Sequence, residues 1–282
     1  MDYYTLYNGY KIPIIGYGTY PQKKTLEKNI ENAEKNGYRL IDTADNYFNE
    51  EYVGKGLKRI KVDNLVIVSK LSKPYKSMKV EECFNASKKA LDGKLNIYLL
   101  HWPYPFLWRR MWRQMEELYL QGKCDAIGVC NFEKKHLLKL LRKCRVKPMI
   151  DQFECHPDFQ QRETIEFCKN HDIQVMSYSP LARNNGKLMK NIRIQAIAQK
   201  YQKTVGQVIL KWNICKGLLP IPASSKLEHI IENIDIFDFN LTAEEVEIID
   251  SLDANNRVRF DPDNRFSLKD KVLFFFCWIL KR

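Results

Sequence analysis

Six polar residues stand where apolar runs end. Asp42 closes Tyr38-Arg39-Leu40-Ile41, Lys70 closes the run from Leu65 through Ser69, and His101 closes Ile97–Leu100. Asn131 follows Ile127-Gly128-Val129-Cys130, Gln152 follows Met149-Ile150-Asp151, and Tyr178 follows Val175-Met176-Ser177. Together they supply a carboxylate, an ammonium, an imidazole, two carboxamides and a phenol, the groups of proton transfer and directed hydrogen bonding. Taken singly, each has a structural explanation. Asp42 and Lys70 would make a buried ion pair, and His101 a hydrogen-bonded core histidine. Taken together they do not, because a packed core needs no convergence of polar groups from six distant places. If the apolar runs are parallel strands of one barrel, their C-terminal ends share one face, and barrel enzymes put their sites there.

The spacing of apolar residues supports such a barrel. Tyr38–Asp42, Leu65–Ser69, Ile97–Leu100, Ala126–Val129, Met149–Phe153 and Gln174–Ser177 read as buried strands, and Ile14–Tyr17 and Leu218–Ile221 bring the number to eight. Between them Thr25–Asn36, Glu50–Arg59, Met78–Leu91, Trp108–Gln121, Glu133–Arg142, Arg162–His171, Ile192–Tyr201 and Val205–Cys215 carry helical spacing, and a further helix runs through Ile230–Asn233. The alternation predicts an α/β fold, a (β/α)8 TIM barrel forming one domain over residues 1–282. A short N-terminal β-hairpin is expected at Leu6–Tyr10, with Asn8-Gly9 as its turn. A C-terminal extension is expected from about residue 267. The rival dinucleotide-binding fold fails its fingerprint, since Gly16-Tyr17-Gly18-Thr19-Tyr20-Pro21 lacks the third glycine.

Composition narrows the class. Of 282 residues, 45% are hydrophobic and 28% charged, which suits a water-soluble globular chain. The net charge of +12 is spread along the sequence without zinc-finger spacing or an RNA-binding aromatic signature, so nucleic acid is not an expected partner. None of the eight cysteines forms a Cys-x-x-Cys pair, so neither a metal site nor a dithiol centre is expected. These thiols, and a start without secretory character, point to a reducing, cytoplasmic location. Val272–Leu280 is unbroken apolar sequence between Lys271 and Lys281-Arg282. It is too short to span a bilayer, which takes about 20 residues. It is expected to pack on the barrel, with weak membrane contact as the alternative.

The motifs themselves are specific. Gly37-Tyr38-Arg39-Leu40-Ile41-Asp42-Thr43-Ala44, with Tyr47, Asn49, Glu50 and Gly54 behind it, resembles the aldo-keto reductase signature. So do Val68-Ser69-Lys70, His101-Trp102-Pro103, Ile127 to Phe132, Gln152 to Pro157 and Tyr178-Ser179-Pro180-Leu181, in order, over residues 6 to 263. The resemblance implies reduction of an aldehyde or ketone by a nicotinamide cofactor, with Asp42, Tyr47, Lys70 and His101 as the catalytic tetrad. The alternative is a cofactor-binding regulatory subunit with little turnover, as in potassium-channel β-subunits.

In that scheme Tyr47 gives the proton and Lys70 lowers its pKa. A charge about 4 Å away favours the phenolate by up to ~4 kcal/mol at an effective dielectric of ~20, enough to move a phenol from about 10 toward neutrality. The resemblance places Asn131 and Gln152 at the nicotinamide carboxamide, Tyr178 under the ring, and Ser179 and Leu181 nearby. Cys130 stands where the family has a serine. Ser224, Lys226, His229, Glu232 and Asn233 fall in the segment for the adenosine end. NADPH is implied, but Ala223 and His229 replace the lysine and arginine common in NADPH-preferring members. That leaves NADH open and predicts only a moderate NADPH preference. Tyr20, Phe48, Trp102 and Tyr104 are expected as walls of a pocket for a small carbonyl substrate. The protein is expected as a monomer or weak dimer.

Overall fold

The computed structural model describes residues 2–62, 64–72 and 79–280. Met78, Lys281 and Arg282 lie outside the described residues. Strands β1 (Tyr3–Thr5) and β2 (Lys11–Pro13) pair antiparallel. Leu6–Tyr10 is the loop between them and not the hairpin itself, with Gly9 at φ +85° and Leu6 N donating to Tyr10 O at 2.9 Å. Eight parallel strands follow: β3 (Tyr17–Gly18), β4 (Leu40–Asp42), β5 (Val66–Leu71), β6 (Ile97–Leu100), β7 (Ala126–Cys130), β8 (Ile150–Glu154), β9 (Gln174–Tyr178) and β10 (Leu219–Ile221). Each pairs with its neighbour in chain order. Gly16 N donates to Pro220 O at 3.0 Å and Gly18 N to Pro222 O at 2.9 Å, which brings the last strand round to the first and closes the barrel.

Successive side chains alternate across a strand, so the barrel sorts them by parity. Leu40, Val66, Val68, Ile97, Leu99, Ala126, Ile150, Met176, Leu219 and Ile221 form one apolar cluster filling the interior. Ile41, Ile67, Tyr98, Leu100, Ile127 and Val129 belong to a second cluster, against the helices. Asp42, Lys70, His101, Cys130, Gln152 and Tyr178 share the inward parity, one step above the interior cluster. Asp151 takes the outward parity. It is fully buried, and burial pushes its pKa well up against the opposing hydrogen bond of the Phe132 backbone. The hairpin plugs the opposite end of the barrel. Leu6 and Ile12 join the interior cluster, and the Tyr4 and Tyr7 hydroxyls donate to the carbonyls of Leu218 and Lys147, ahead of β10 and β8.

The helices surround the barrel much as their apolar spacing predicts. Two segments add to that expectation. Ala243–Asp250 is a helix opened by a capping box, with Thr242 and Glu245 each bonding the other's backbone N–H. The apolar tail is a helix, Leu268–Leu280. Its Phe274 is buried and meets Tyr104 and Phe266 edge-on at 5.8 and 5.1 Å between ring centroids. Among the described residues, no helix is long and apolar enough to cross a membrane.

Candidate active site

The site begins with Lys70, fully buried on β5. Its Nζ donates to Asp42 Oδ1 and Oδ2 at 2.9 and 2.7 Å, to Thr43 O at 2.8 Å and to the Tyr47 hydroxyl at 3.3 Å. Tyr47 ends a 3-10 turn, Asp45–Tyr47, that follows β4, and Phe48 at φ 55° turns the chain back out. His101 leaves β6 with its Nδ1 2.5 Å from Ser72 Oγ. Its ring stacks on Trp102 at 6.0 Å and meets Tyr47 edge-on at 5.9 Å. Asn131, at φ 63°, donates through Nδ2 to His101 O at 3.0 Å and accepts from the Tyr178 hydroxyl at 2.6 Å. Gln152 Nε2 donates to Asp42 Oδ1 at 2.7 Å. All six strand-end residues and Tyr47 are thus brought into one network.

The electrostatics overturn one expectation. Burial pushes the Tyr47 pKa up to about 12; Lys70 pulls it down, but Asp42 and Cys130 act in the raising direction. Lys70 therefore offsets the desolvation of Tyr47 without bringing the phenol near neutrality, because the ammonium is already shared with a carboxylate. Burial also opposes the charge on Lys70, but Asp42 and Tyr47 outweigh it and hold the ammonium more firmly than in water. Burial, then the positive charges of Lys70, Arg265 and Arg259, push His101 well below its ordinary range. At neutral pH the ring is the uncharged imidazole.

Above this network opens a cavity of about 470 Å³. Asp42, Tyr47, His101, Asn131 and Tyr178 reach it, as do Tyr20, Trp102, Ser179, Leu181, Ala223 and Arg183. Tyr20 packs against Tyr47 with centroids 4.9 Å apart. Two expected walls lie elsewhere. Phe48 is 63% exposed and is not among the lining residues, because the turn at φ 55° aims it outward. Tyr104 is buried, donates to Ser72 O at 2.6 Å and packs against the tail helix, so its role is packing. Gln152 and Cys130 are buried and do not line the cavity. Cys130 Sγ accepts from Asn131 Nδ2 at 3.2 Å, and burial raises the thiol's pKa well above its usual value.

Arg259, Phe260 and Arg265 also line the cavity and escaped the sequence reading. They follow the last barrel helix in a segment without periodicity. Only the fold brings them back over the mouth. Glu154, ending β8, accepts from the backbone N–H groups of Val258 and Arg259 at 2.6 and 2.9 Å. Arg257 donates to Glu133 at 2.8 Å.

The residues expected at the adenosine end gather after β10. Tyr17 donates to Ser224 O at 2.6 Å, and Ser224 Oγ accepts from Lys226 N at 3.1 Å at the start of helix Leu227–Ile234. Lys226 is exposed. His229 Nδ1 lies 3.1 Å from Glu232 Oε2, whose other oxygen accepts from Thr204 at 2.6 Å. Asn233 is buried.

Comparison with known proteins accords with this geometry. A family profile described as the Aldo/keto reductase family matches residues 13–254. The glyoxal reductase of Bacillus subtilis (strain 168) is 41% identical over 270 residues, 93% of this chain and 96% of that one. The methylglyoxal reductase DkgA of Escherichia coli (strain K12) is 37% identical over 263 residues, 92% and 96% of the two chains. A mutant of Gox0644 crystallised with NADPH superposes with a TM-score of 0.89 at 33% identity, covering 94% of this chain and 99% of that one. A closed barrel, an Asp–Lys–Tyr chain of contacts at its mouth and relatives that span its length converge on one conclusion. The chain belongs to the aldo/keto reductase family, oxidoreductases that reduce carbonyl groups with a nicotinamide cofactor.

Proposed function

We propose that this enzyme reduces small aldehydes or ketones with NADPH, Tyr47 giving the proton and Lys70, Asp42 and His101 supporting it. The observation that carries the reading is Lys70 Nζ, bonded at once to Asp42 and to the Tyr47 hydroxyl beside the cavity. The cofactor, when bound, supplies the hydride. The carbonyl oxygen then gains negative charge and must be neutralised. Tyr47 keeps its proton across the neutral range, since its pKa is about 12. As hydride adds to the carbonyl carbon, the C=O electron pair moves to the oxygen and leaves an alkoxide, a far stronger base than a phenolate, so proton transfer from Tyr47 to that oxygen still runs downhill. Lys70 stabilises the phenolate left behind, and Asp42 holds the ammonium in place. His101, uncharged, directs a hydrogen bond at the carbonyl oxygen. A Ser72 hydroxyl donating to Nδ1 would leave Nε2–H as that donor.

The residues present suit a dinucleotide. Tyr178, Asn131, Ser179 and Leu181 line the cavity beside Tyr47 and offer a ring face and a carboxamide for nicotinamide. Gln152 and Cys130 act through Asp42 and Asn131, the groups they touch. Arg183, exposed on the same cavity, offers a positive charge to a pyrophosphate. NADPH is preferred over NADH in this reading because Lys226 stands exposed at the adenosine end, and the NADPH complex of a similar structure supports it. The preference is moderate, because Glu232 beside His229 faces any added phosphate with like charge. Cys124, Cys130, Cys144, Cys155, Cys168 and Cys215 form no disulfide, which supports a cytoplasmic location. The test is consumption of NADPH with glyoxal, methylglyoxal and longer aldehydes. Turnover that Tyr47→Phe abolishes is the expected result; a regulatory subunit would bind NADPH and consume almost none.

A further inference from the structure

We infer that Arg259 and Arg265 form an anion subsite that selects carbonyl substrates carrying a carboxylate. The inference rests on the carbonyl-reducing reading and names the substrate class of that same cavity. Both residues line it. Each guanidinium lies over rings that touch the reacting groups. Arg259 Cζ is 5.2 Å from the centroid of Tyr20, the ring packed on Tyr47. Arg265 Cζ is 5.6 Å from the centroid of Trp102, the ring stacked on His101. Phe260 lies between them, 5.8 Å from Arg259 and 4.6 Å from Arg265. The two charges are thus held by aromatic faces on the side of the cavity where Tyr47 and His101 would grip the carbonyl.

Aromatic faces hold a guanidinium without using its N–H groups, and a planar fork so held matches a carboxylate. Among the described residues, neither arginine side chain donates to a carboxylate at ion-pair distance, whereas Arg257, two residues before Arg259, is bonded to Glu133. Arg265 Nε is buried with no hydrogen-bond partner among the described residues. Asp270, further along the same segment, feels the charge of Arg265, but its carboxyl is held chiefly by Ser267. Among the described residues, Asp42 is the one carboxylate lining the cavity, and it is engaged by Lys70. Arg259 is also pinned at its backbone by Glu154, so the subsite is formed before substrate arrives. The fields of both arginines reach the reacting centre, since both act on His101. A short oxo acid would place its carbonyl oxygen at Tyr47 and His101 and its carboxylate a few atoms away, between the two guanidinium groups.

The experiment compares succinate semialdehyde with its neutral methyl ester, using NADPH and the full chain. The readout is the acid-over-ester ratio of kcat/KM, which cancels general losses. Wild type is expected to favour the acid by about tenfold or more, the range of a charge-assisted hydrogen bond. In R259Q/R265Q the ratio should fall to about one, mainly through the KM of the acid, with the KM for NADPH held. A wild-type ratio of one or below, or a ratio the double variant leaves unchanged, overturns the inference. So does a KM for NADPH that rises in step with the loss, which would assign the arginines to cofactor phosphates. If no aldehyde is reduced at all, the carbonyl-reducing reading fails separately. Calorimetric titration of the NADPH-bound protein with the product hydroxy acid then decides the subsite. Binding that weakens about tenfold in R259Q/R265Q supports it, and no binding to wild type overturns it.

Discussion

Each residue of the proposed tetrad does a separable job. Tyr47→Phe removes the proton and leaves the residues around Tyr178 in place. Turnover should fall by about 10²–10⁴, the usual contribution of a general acid, while NADPH affinity by fluorescence titration stays nearly constant. Retention of more than about a tenth of the rate would unseat Tyr47 as the acid. The pH profile follows from the raised pKa. Tyr47 donates only while protonated, so its contribution is complete well below about 12 and is lost as pH rises toward that value. Chemistry-limited reduction should be level from about pH 6 to 9 and decline only at the alkaline end. A decline centred near neutrality would mean that Lys70 lowers the pKa far more than burial and Asp42 allow. Lys70→Met removes the group that pulls the pKa down, so the alkaline limb moves higher still while turnover drops. At the adenosine end, charge-assisted contacts with phosphate contribute about 1.5–3 kcal/mol each. Wild type should prefer NADPH over NADH by about tenfold to a hundredfold in kcat/KM. Lys226→Ala should shrink that preference and Ala223→Lys enlarge it. A preference above about a thousandfold that ignores Lys226→Ala would show that another residue reads the phosphate.

Helix Glu50–Leu57 shows how elements hold the site. Glu50, on its first turn, accepts from Ser69 of β5 at 2.6 Å and from Ser87 of the neighbouring helix Val80–Ala90 at 3.1 Å. Ser69 is the residue before Lys70, so this half-buried carboxyl ties the lysine's strand to two helices. The helices approach so closely that a Cβ on Gly54 would lie 2.0 Å from Ala90 O, a backbone atom unable to swing away. Gly54→Ala should therefore destabilise by about 1–3 kcal/mol, as overpacking does, and lower the Tm by several degrees in a thermal melt. An unchanged Tm would show that the two helices separate freely.

The whole molecule joins the tail to the active site. Phe274 packs on Tyr104, Tyr104 donates to Ser72 O, and Ser72 Oγ meets His101. Phe274→Ala should cost about 3 kcal/mol and disturb His101 through this chain, seen as a lowered Tm and a raised KM. A variant with wild-type stability and kinetics would detach the tail from the barrel. The helix also leaves Val272, Leu273, Phe275, Phe276 and Ile279 more than 40% exposed. Flotation with anionic liposomes tests membrane contact by that face, and protein that stays at the bottom of the gradient leaves packing as the tail's role.

Sequence alone determined the barrel and most of its mouth, because strand parity is a property of spacing. Once Leu40, Val68, Leu99 and Ile150 face inward, Asp42, Lys70, His101 and Gln152 must face inward too. Linear order also carried the motifs that resemble the family, and Tyr47 was found only through them, since it lies on a turn with no period to place it. The Thr242–Glu245 capping box is legible in the sequence as well, as a Thr three residues before a Glu at the start of a helix. Four things were decided by tertiary structure. The outward turn of Phe48 depends on a backbone angle, and the retreat of Tyr104 from the pocket on its partners in the tail. The pKa of Tyr47 depends on how burial, Lys70 and Asp42 balance at distances no spacing reveals. The arrival of Arg259 and Arg265 at the cavity depends on a segment with no period of its own, folded back because Glu154, a hundred residues earlier, binds its backbone.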